Sequence, residues 1–265
     1  MRDLSLPGVY FAGDAAKPPV LLLHSSQSSA GQWRALVAEL AKSYAVLSVD
    51  LLGYGAAPAV TGTPESFRFE AEIPRILEAL EKAQVRQPVT LIGHSYGGAL
   101  ALKLALEQPF AVARLVMFEP VAFHLLEATE AARQEIDQVA ENMASLSQAE
   151  ATAGFVDYWN FHGFFAALPS KMQGLMIAQG DKVNYDFSAL MGEPYGLDDY
   201  RNIKVPSLLL RGEHTRQSAH AVADKLLSAL PEVTAKTLPT GHMGPITHAA
   251  QVNQAILNFL TSTAA

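Results

Sequence analysis

One serine in this 265-residue chain stands where it could act as a nucleophile. Ser95 lies in Gly93-His94-Ser95-Tyr96-Gly97, with Gly98 after it, behind the apolar run Val89 to Ile92 and ahead of the helical run Ala99 to Glu107. A serine on a sharp strand-to-helix turn needs small residues on both sides, because its backbone is strained and the helix passes close to the strand. The free N–H groups of the helix start then lie beside the hydroxyl, where they can stabilise a developing oxyanion. A serine hydroxyl is a poor nucleophile at neutral pH, so it needs a base, and histidine is the side chain best poised for that work. The chain offers eight histidines and no cysteine. The missing thiols remove disulfides, thiolate metal sites and cysteine nucleophiles together.

Composition narrows the partners. Hydrophobic residues make up 49% of the chain, and 19 Lys+Arg stand against 26 Asp+Glu, a formal charge of −7. A net negative chain has no electrostatic footprint for phosphate backbones or anionic lipid, so a small-molecule substrate is expected, and neither nucleic acid nor membrane. Met1-Arg2-Asp3-Leu4-Ser5 runs into a Pro-Gly turn with no apolar run behind a basic start, and no stretch approaches the roughly 18 apolar residues of a membrane span. A cytoplasmic location is the expectation, with the oligomeric state open. No dinucleotide fingerprint, phosphate-binding loop or HExxH helix occurs, so neither cofactor nor metal is expected.

The elements that must position Ser95 read as an α/β pattern. Val20 to His24, Tyr44 to Asp50, Val89 to His94, Arg114 to Glu119 and Ser207 to Arg211 are short, nearly continuous aliphatic runs, as strands covered on both faces require. Thr234 to Leu238 is more polar and reads as an edge strand. Between them, Gln32 to Lys42, Glu65 to Lys82, Gly98 to Glu107, Ala219 to Leu230 and His248 to Leu260 carry apolar residues at three- and four-residue spacing. Alternation of this kind predicts a mainly parallel sheet with right-handed crossovers. The interval from about 121 to 202 is too long for a connection. It holds a predicted helix over Ala128 to Met143 and the aromatic stretch Phe155, Tyr158, Trp159, Phe161, Phe164 and Phe165, and reads as a helical lid inserted before the penultimate core strand. The expected layout is a core over 1–120 and 203–265 with a lid over 121–202.

Five blocks in order identify a resemblance: His24-Ser25-Ser26 after the first core strand, Asp50-Leu51-Leu52-Gly53-Tyr54-Gly55 after the second, the Gly93 to Gly97 elbow, Arg211-Gly212-Glu213 after the fifth, and Gly241-His242-Met243 after the last. With them the chain resembles the α/β-hydrolase superfamily, in its lid-bearing branch. The resemblance implies Ser95 as nucleophile, His242 as base, and an oxyanion hole formed by the backbone amides of Ser26 and Tyr96. His24 is then structural. The family commonly places an aspartate three residues after Gly212, but Thr215 stands there, and a neutral threonine cannot stabilise an imidazolium. Glu119, left at the carboxyl edge of the sheet where Pro120 turns the chain away, is the expected acid, as in branches that carry it after this strand. Glu213 is the alternative. Ser25, His94, Tyr158, Trp159, Phe161 and His162 are the candidate pocket residues.

The implied reaction is acyl transfer through Ser95. An aromatic-rich lid and few charges near the elbow favour a largely apolar carboxylic ester. The alternative is hydrolysis of a C–C bond in a ring-fission or β-diketone-like product, which calls for a cation in the pocket; Arg133 and Arg201 are the nearest in sequence. Thr215 leaves open a third reading, a ligand-binding member that turns over slowly or not at all.

Overall fold

The computed structural model describes residues 4–262, so the Met1-Arg2-Asp3 start read above lies outside the described residues. Seven strands form one sheet: β1 (Val9–Ala12), β2 (Pro19–Leu23), β3 (Ala45–Val49), β4 (Val89–His94), β5 (Val112–Phe118), β6 (Ser207–Gly212) and β7 (Val233–Leu238). Their spatial order is β1-β3-β2-β4-β5-β6-β7, parallel except for β1 against β3. The short β1 is an addition to the sequence reading. Its four residues lie between Gly8 and Gly13 and are too few to show a period of their own.

Successive strand residues point to opposite faces, and the two faces build two cores. Val20, Leu22, Val46, Ile92, Val116 and Leu208 pack with helices α1 (Arg34–Leu40) and α12 (Ala249–Thr261). Leu21, Leu23, Leu47, Leu91, Leu115 and Leu209 pack on the other side with α2 (Ile73–Lys82), α3 (Tyr96–Glu107) and α10 (Gln217–Ala229). Helix α2 is shorter than the Glu65 to Lys82 span expected from periodicity. Pro64 and Pro74 start separate segments, and residues 64–71 form two single 3-10 turns, because proline can begin a helix but not continue one.

Between β5 and β6 the regular structure is helical: α4 (Ala131–Ser145), α5 (Gln148–Trp159), α6 (Phe164–Ala167), α7 (Ser170–Ala178), α8 (Gly180–Met191) and α9 (Leu197–Tyr200). The chain closes through α11 (Gly244–Thr247) into α12. After β2 the chain moves to β3 on one side, then crosses back to β4 on the other. That reversal opens a crevice at the carboxyl ends of β2 and β4, where open α/β sheets place their sites. Among the described residues no helix is long and apolar enough to cross a membrane.

Two histidines, His24 buried and His124 half-buried, fasten loops to this frame. His24, just past β2, donates Nδ1–H to the Ser25 carbonyl at 2.7 Å and accepts the Leu51 amide on Nε2 at 2.9 Å. His124 lies 3.2 Å from the Leu190 carbonyl and 2.8 Å from the Tyr200 hydroxyl, tying the exit of β5 to α8 and α9. Burial pushes both rings down to about 4 from the ordinary 6.5. In the unfolded chain they take up protons near pH 6.5, whereas folded they stay neutral, so the stability they give is whole above that pH and falls as pH drops toward 4. Between pH 6.5 and 5, each ring should remove up to about 1.4 kcal/mol of unfolding free energy per pH unit. Urea titrations across this window should show a shallower slope for His124→Asn than for the wild type; equal slopes would contradict the neutral ring.

Candidate active site

Ser95 sits between β4 and α3 at φ 54° and ψ −120°, outside the regions open to ordinary L-residues. Its amide donates to the Phe118 carbonyl at 3.0 Å, which pins the turn to β5. The flanking glycines are required by contact: a Cβ on Gly93 would lie 2.2 Å from the Gly97 carbonyl oxygen, and one on Gly97 2.4 Å from that of His24. Helix α3 therefore starts against both neighbouring strands, with its first amides free of carbonyl partners one turn back.

Three buried side chains meet at this turn. The Ser95 hydroxyl lies 2.9 Å from His242 Nε2, and His242 Nδ1 lies 2.6 Å from Glu119 Oε2. With Nδ1–H directed at a carboxylate, the lone pair of Nε2 faces the serine, the tautomer that can accept its proton. Glu119 follows β5 at φ 43°, in the left-handed region, a strained setting for a non-glycine residue. Its Oε1 accepts the Gly212 amide at 2.6 Å, and its Oε2 also accepts the Thr215 hydroxyl at 2.7 Å. Thr215 thus donates to a carboxylate that arrives from the neighbouring strand. Glu213, the alternative acid, is exposed on the loop after β6.

His94 corrects an expectation. It does not line the cavity over Ser95; it is fully buried, and burial holds its pKa well below the ordinary value, so the ring is neutral. Nε2–H donates to the His242 carbonyl at 2.9 Å, and Nδ1 accepts from Gln32 Nε2 at 3.0 Å. Gln32 Oε1 in turn accepts both the amide and the hydroxyl of Ser25, at 3.2 and 2.9 Å. His94, the residue before Ser95, is a strut joining the loop after β2 to the loop of His242. The positive φ in the former loop falls at Gln27 (52°), so Ser25 occupies its place without that strain.

The cavity over Ser95 is lined by Ser25, Ser26, Gln27, Phe155, Val156, Trp159, Asn160, Met176, His242 and Met243. Its volume of about 40 Å³ holds on the order of three waters. Of the expected pocket residues, Ser25 and Trp159 are there. Trp159 stacks face to face on His242, ring centroids 3.7 Å apart and planes at 25°. Tyr158 points away, its hydroxyl 2.6 Å from Ser218 Oγ and its ring edge-on to Trp159. Phe161 and His162 follow the end of α5 and lie in solvent, Phe161 62% exposed. The helix turns positions 155, 156, 159 and 160 inward. Phe155 carried an aromatic signal in the sequence, whereas Gln27, Met176 and Met243 carried none.

Among the described residues, no three His, Asp or Glu side chains gather as a metal site would require. What the arrangement can do is move a proton from a strained serine to a carboxylate-held imidazole in a small, largely apolar enclosure.

Known proteins share the family and the fold. Residues 20–255 match the model of the alpha/beta hydrolase family. The 2-hydroxy-6-oxo-6-(2'-aminophenyl)hexa-2,4-dienoic acid hydrolase of Metapseudomonas resinovorans is 25% identical over 93% of this chain and 85% of its own. The 2-hydroxymuconate semialdehyde hydrolase of Pseudomonas sp. (strain CF600) is 32% identical over 43% of this chain and 41% of its own length. Several curated relatives match over only 25% to 42% of their length. Among solved structures, the enol-lactonase of Burkholderia xenovorans LB400 superposes with a TM-score of 0.79 over 97% of this chain and 96% of that one, at 18% identity, a likeness of fold. With a strained serine between β4 and α3, a histidine after β7 and a family match spanning all the parallel strands but the first residue of β2, the chain belongs to the alpha/beta hydrolase family.

Proposed function

We propose that the chain is a serine hydrolase that cleaves a small or medium, largely apolar carboxylic ester through an acyl-enzyme, with Ser95, His242 and Glu119 as its triad. The observation that carries this reading is the continuous hydrogen-bonded path Ser95–His242–Glu119, at 2.9 and 2.6 Å, out of water. Ser95 Oγ attacks the acyl carbon while its proton passes to His242 Nε2, and Glu119 holds the resulting imidazolium. The oxyanion rests on the amides of Ser26 and Tyr96. The first lies beside Ser95 in the cavity lining, and the second opens α3, where no carbonyl competes for it. His242 returns the proton to the departing alcohol, and water then cleaves the ester to Ser95 by the same steps. Residues 121–202 act as the lid, and a substrate enters past α5 and α7, whose Phe155, Val156, Trp159 and Met176 line the cavity.

The choice of an ester rests on the lining. None of the residues named around the cavity is an acid, a lysine or an arginine. Arg133 pairs with Asp137 at 2.8 Å, and Arg201 is an exposed partner of Asp198 at 3.1 Å, so neither supplies a cation for a dienoate carboxylate. Hydrolysis of a C–C bond is the second reading, favoured by the relatives named for such substrates. Weak or absent turnover loses its motive, because Thr215 supports a carboxylate rather than lacking one.

A fluorophosphonate probe should label the protein stoichiometrically at Ser95, and Ser95→Ala should abolish labelling. Stopped-flow comparison of a short p-nitrophenyl ester with a ring-fission dienoate should favour the ester; faster turnover of the dienoate would replace the first reading with the second. Glu119→Gln should lower kcat about 10³- to 10⁴-fold with KM little changed, and Glu213→Gln should leave it within about twofold. The reverse pattern would move the acid to Glu213. Thr215→Val removes one hydrogen bond to a charged oxygen and should cost about tenfold in kcat.

A further inference from the structure

The proposed reaction leaves unused a cluster of buried charges between the helical segment and the core. Lys182 on α8 is 4% exposed, and its ammonium is hydrogen-bonded to Asp186 and lies 3.4 Å from Glu72 Oε1. It faces the rings of Tyr54, Phe67 and Tyr96 at 4.7 to 5.0 Å. Asp186 and Glu72 are 1% and 0% exposed. Burial raises the pKa of Glu72 against the pull of the Lys182 ammonium.

Each carboxylate reaches on to one of the two residues assigned to the oxyanion. Asp186 Oδ2 accepts the Ser26 hydroxyl at 2.6 Å, along with the Tyr54 hydroxyl at 2.5 Å. Glu72 Oε1 accepts the Tyr96 hydroxyl at 3.2 Å, while its Oε2 accepts the Leu52 amide at 2.9 Å. Burying three charges costs several kcal/mol per ion, and packed apolar residues of similar volume commonly do as well for stability. A cluster built only to fasten the helices to the core would not need to end on positions 26 and 96.

We propose that Lys182, Asp186 and Glu72 are positioning residues that fix the Ser26 and Tyr96 amides in oxyanion-binding geometry through the hydroxyls of those two residues. The lid helix α8 then belongs to the reaction framework as well as covering it. Donors aimed at a developing charge act fully only when held in place, and a shift near 1 Å can cost on the order of a hundredfold.

This rests on the Ser95 reading, and the test separates the two. Ser26→Ala and Tyr96→Phe each cut one hydroxyl link while leaving both amides and the Lys182–Asp186–Glu72 contacts in place. Each should lower kcat on p-nitrophenyl acetate about tenfold, and the double variant about a hundredfold, with KM within about twofold. The affinity for a trifluoromethyl ketone, whose adduct with Ser95 carries the oxyanion, should fall by the same factors, with the melting temperature nearly unchanged. Ser26→Thr, which keeps the hydroxyl, should recover kcat. In a background of Asp186→Asn, Ser26→Ala should cost less than in the wild type, because the two act along one path; should Asp186→Asn not fold, the two hydroxyl variants decide alone. An active wild type whose double variant keeps kcat and ketone affinity overturns the positioning role and leaves the triad standing. A wild type that neither turns over the ester nor binds the ketone overturns both.

Discussion

A carboxylate moved out of water must find a donor for each exposed lone pair or lose several kcal/mol of stability, and Glu119 is placed under that demand. Three donors meet it: the Gly212 amide, the Thr215 hydroxyl and His242 Nδ1–H. Each arrives through sheet register. Phe118 pairs with Leu210, and the Glu119 amide donates to the Leu210 carbonyl, so Gly212 follows in position to donate to the carboxylate. Gly212 pairs with Leu238, and from there the chain needs four residues to reach His242. A slip of one residue between β5 and β6 or between β6 and β7 would turn the relevant groups to the other face. The alignment of three strands thus fixes the tautomer and aim of a single imidazole.

The helices between β5 and β6 extend this constraint over the top of the site. Trp159 lies flat on the face of His242, and the Gln27 side chain donates to the Met176 carbonyl, joining the loop after β2 to α7. Helix α7 has no buried residue, while α8 has seven. Few buried contacts mark the segment that opens most easily. In the proposed reaction α7 is then the movable flap and α8 the fixed strut.

The parallel strands and the strand-to-helix turn at Ser95 were legible in the sequence because unbroken aliphatic runs and a glycine-flanked serine are local signals. The Glu119–His242 contact was half legible. Pro120 after Glu119 marked a strand end at the carboxyl edge, but the role of Thr215 depends on a contact 96 residues distant, and no local rule reports it. The lid residues misled for a related reason. The aromatic stretch 155–165 did not tell where its helix stops, and Asn160 at φ −121° and ψ −102° ends it just before Phe161 and His162, which turn into solvent. Lys182 and Asp186, four residues apart on one helix, have the spacing of any exposed ion pair and drew no notice in the sequence; only the packing of α8 onto the loops after β2 and β3 buries them. His94 carried the opposite difficulty, since the variable position of the elbow suggests a pocket residue while its ring faces Gln32 and the backbone of His242.

The central claim is that Glu119 holds the imidazole of His242, and proton NMR of histidine-labelled protein tests it most directly. The wild type should show a strongly deshielded, exchange-protected Nδ1–H of His242. That resonance should vanish in Glu119→Ala and persist in Glu213→Ala. Its persistence in Glu119→Ala, with loss in Glu213→Ala, would contradict the account.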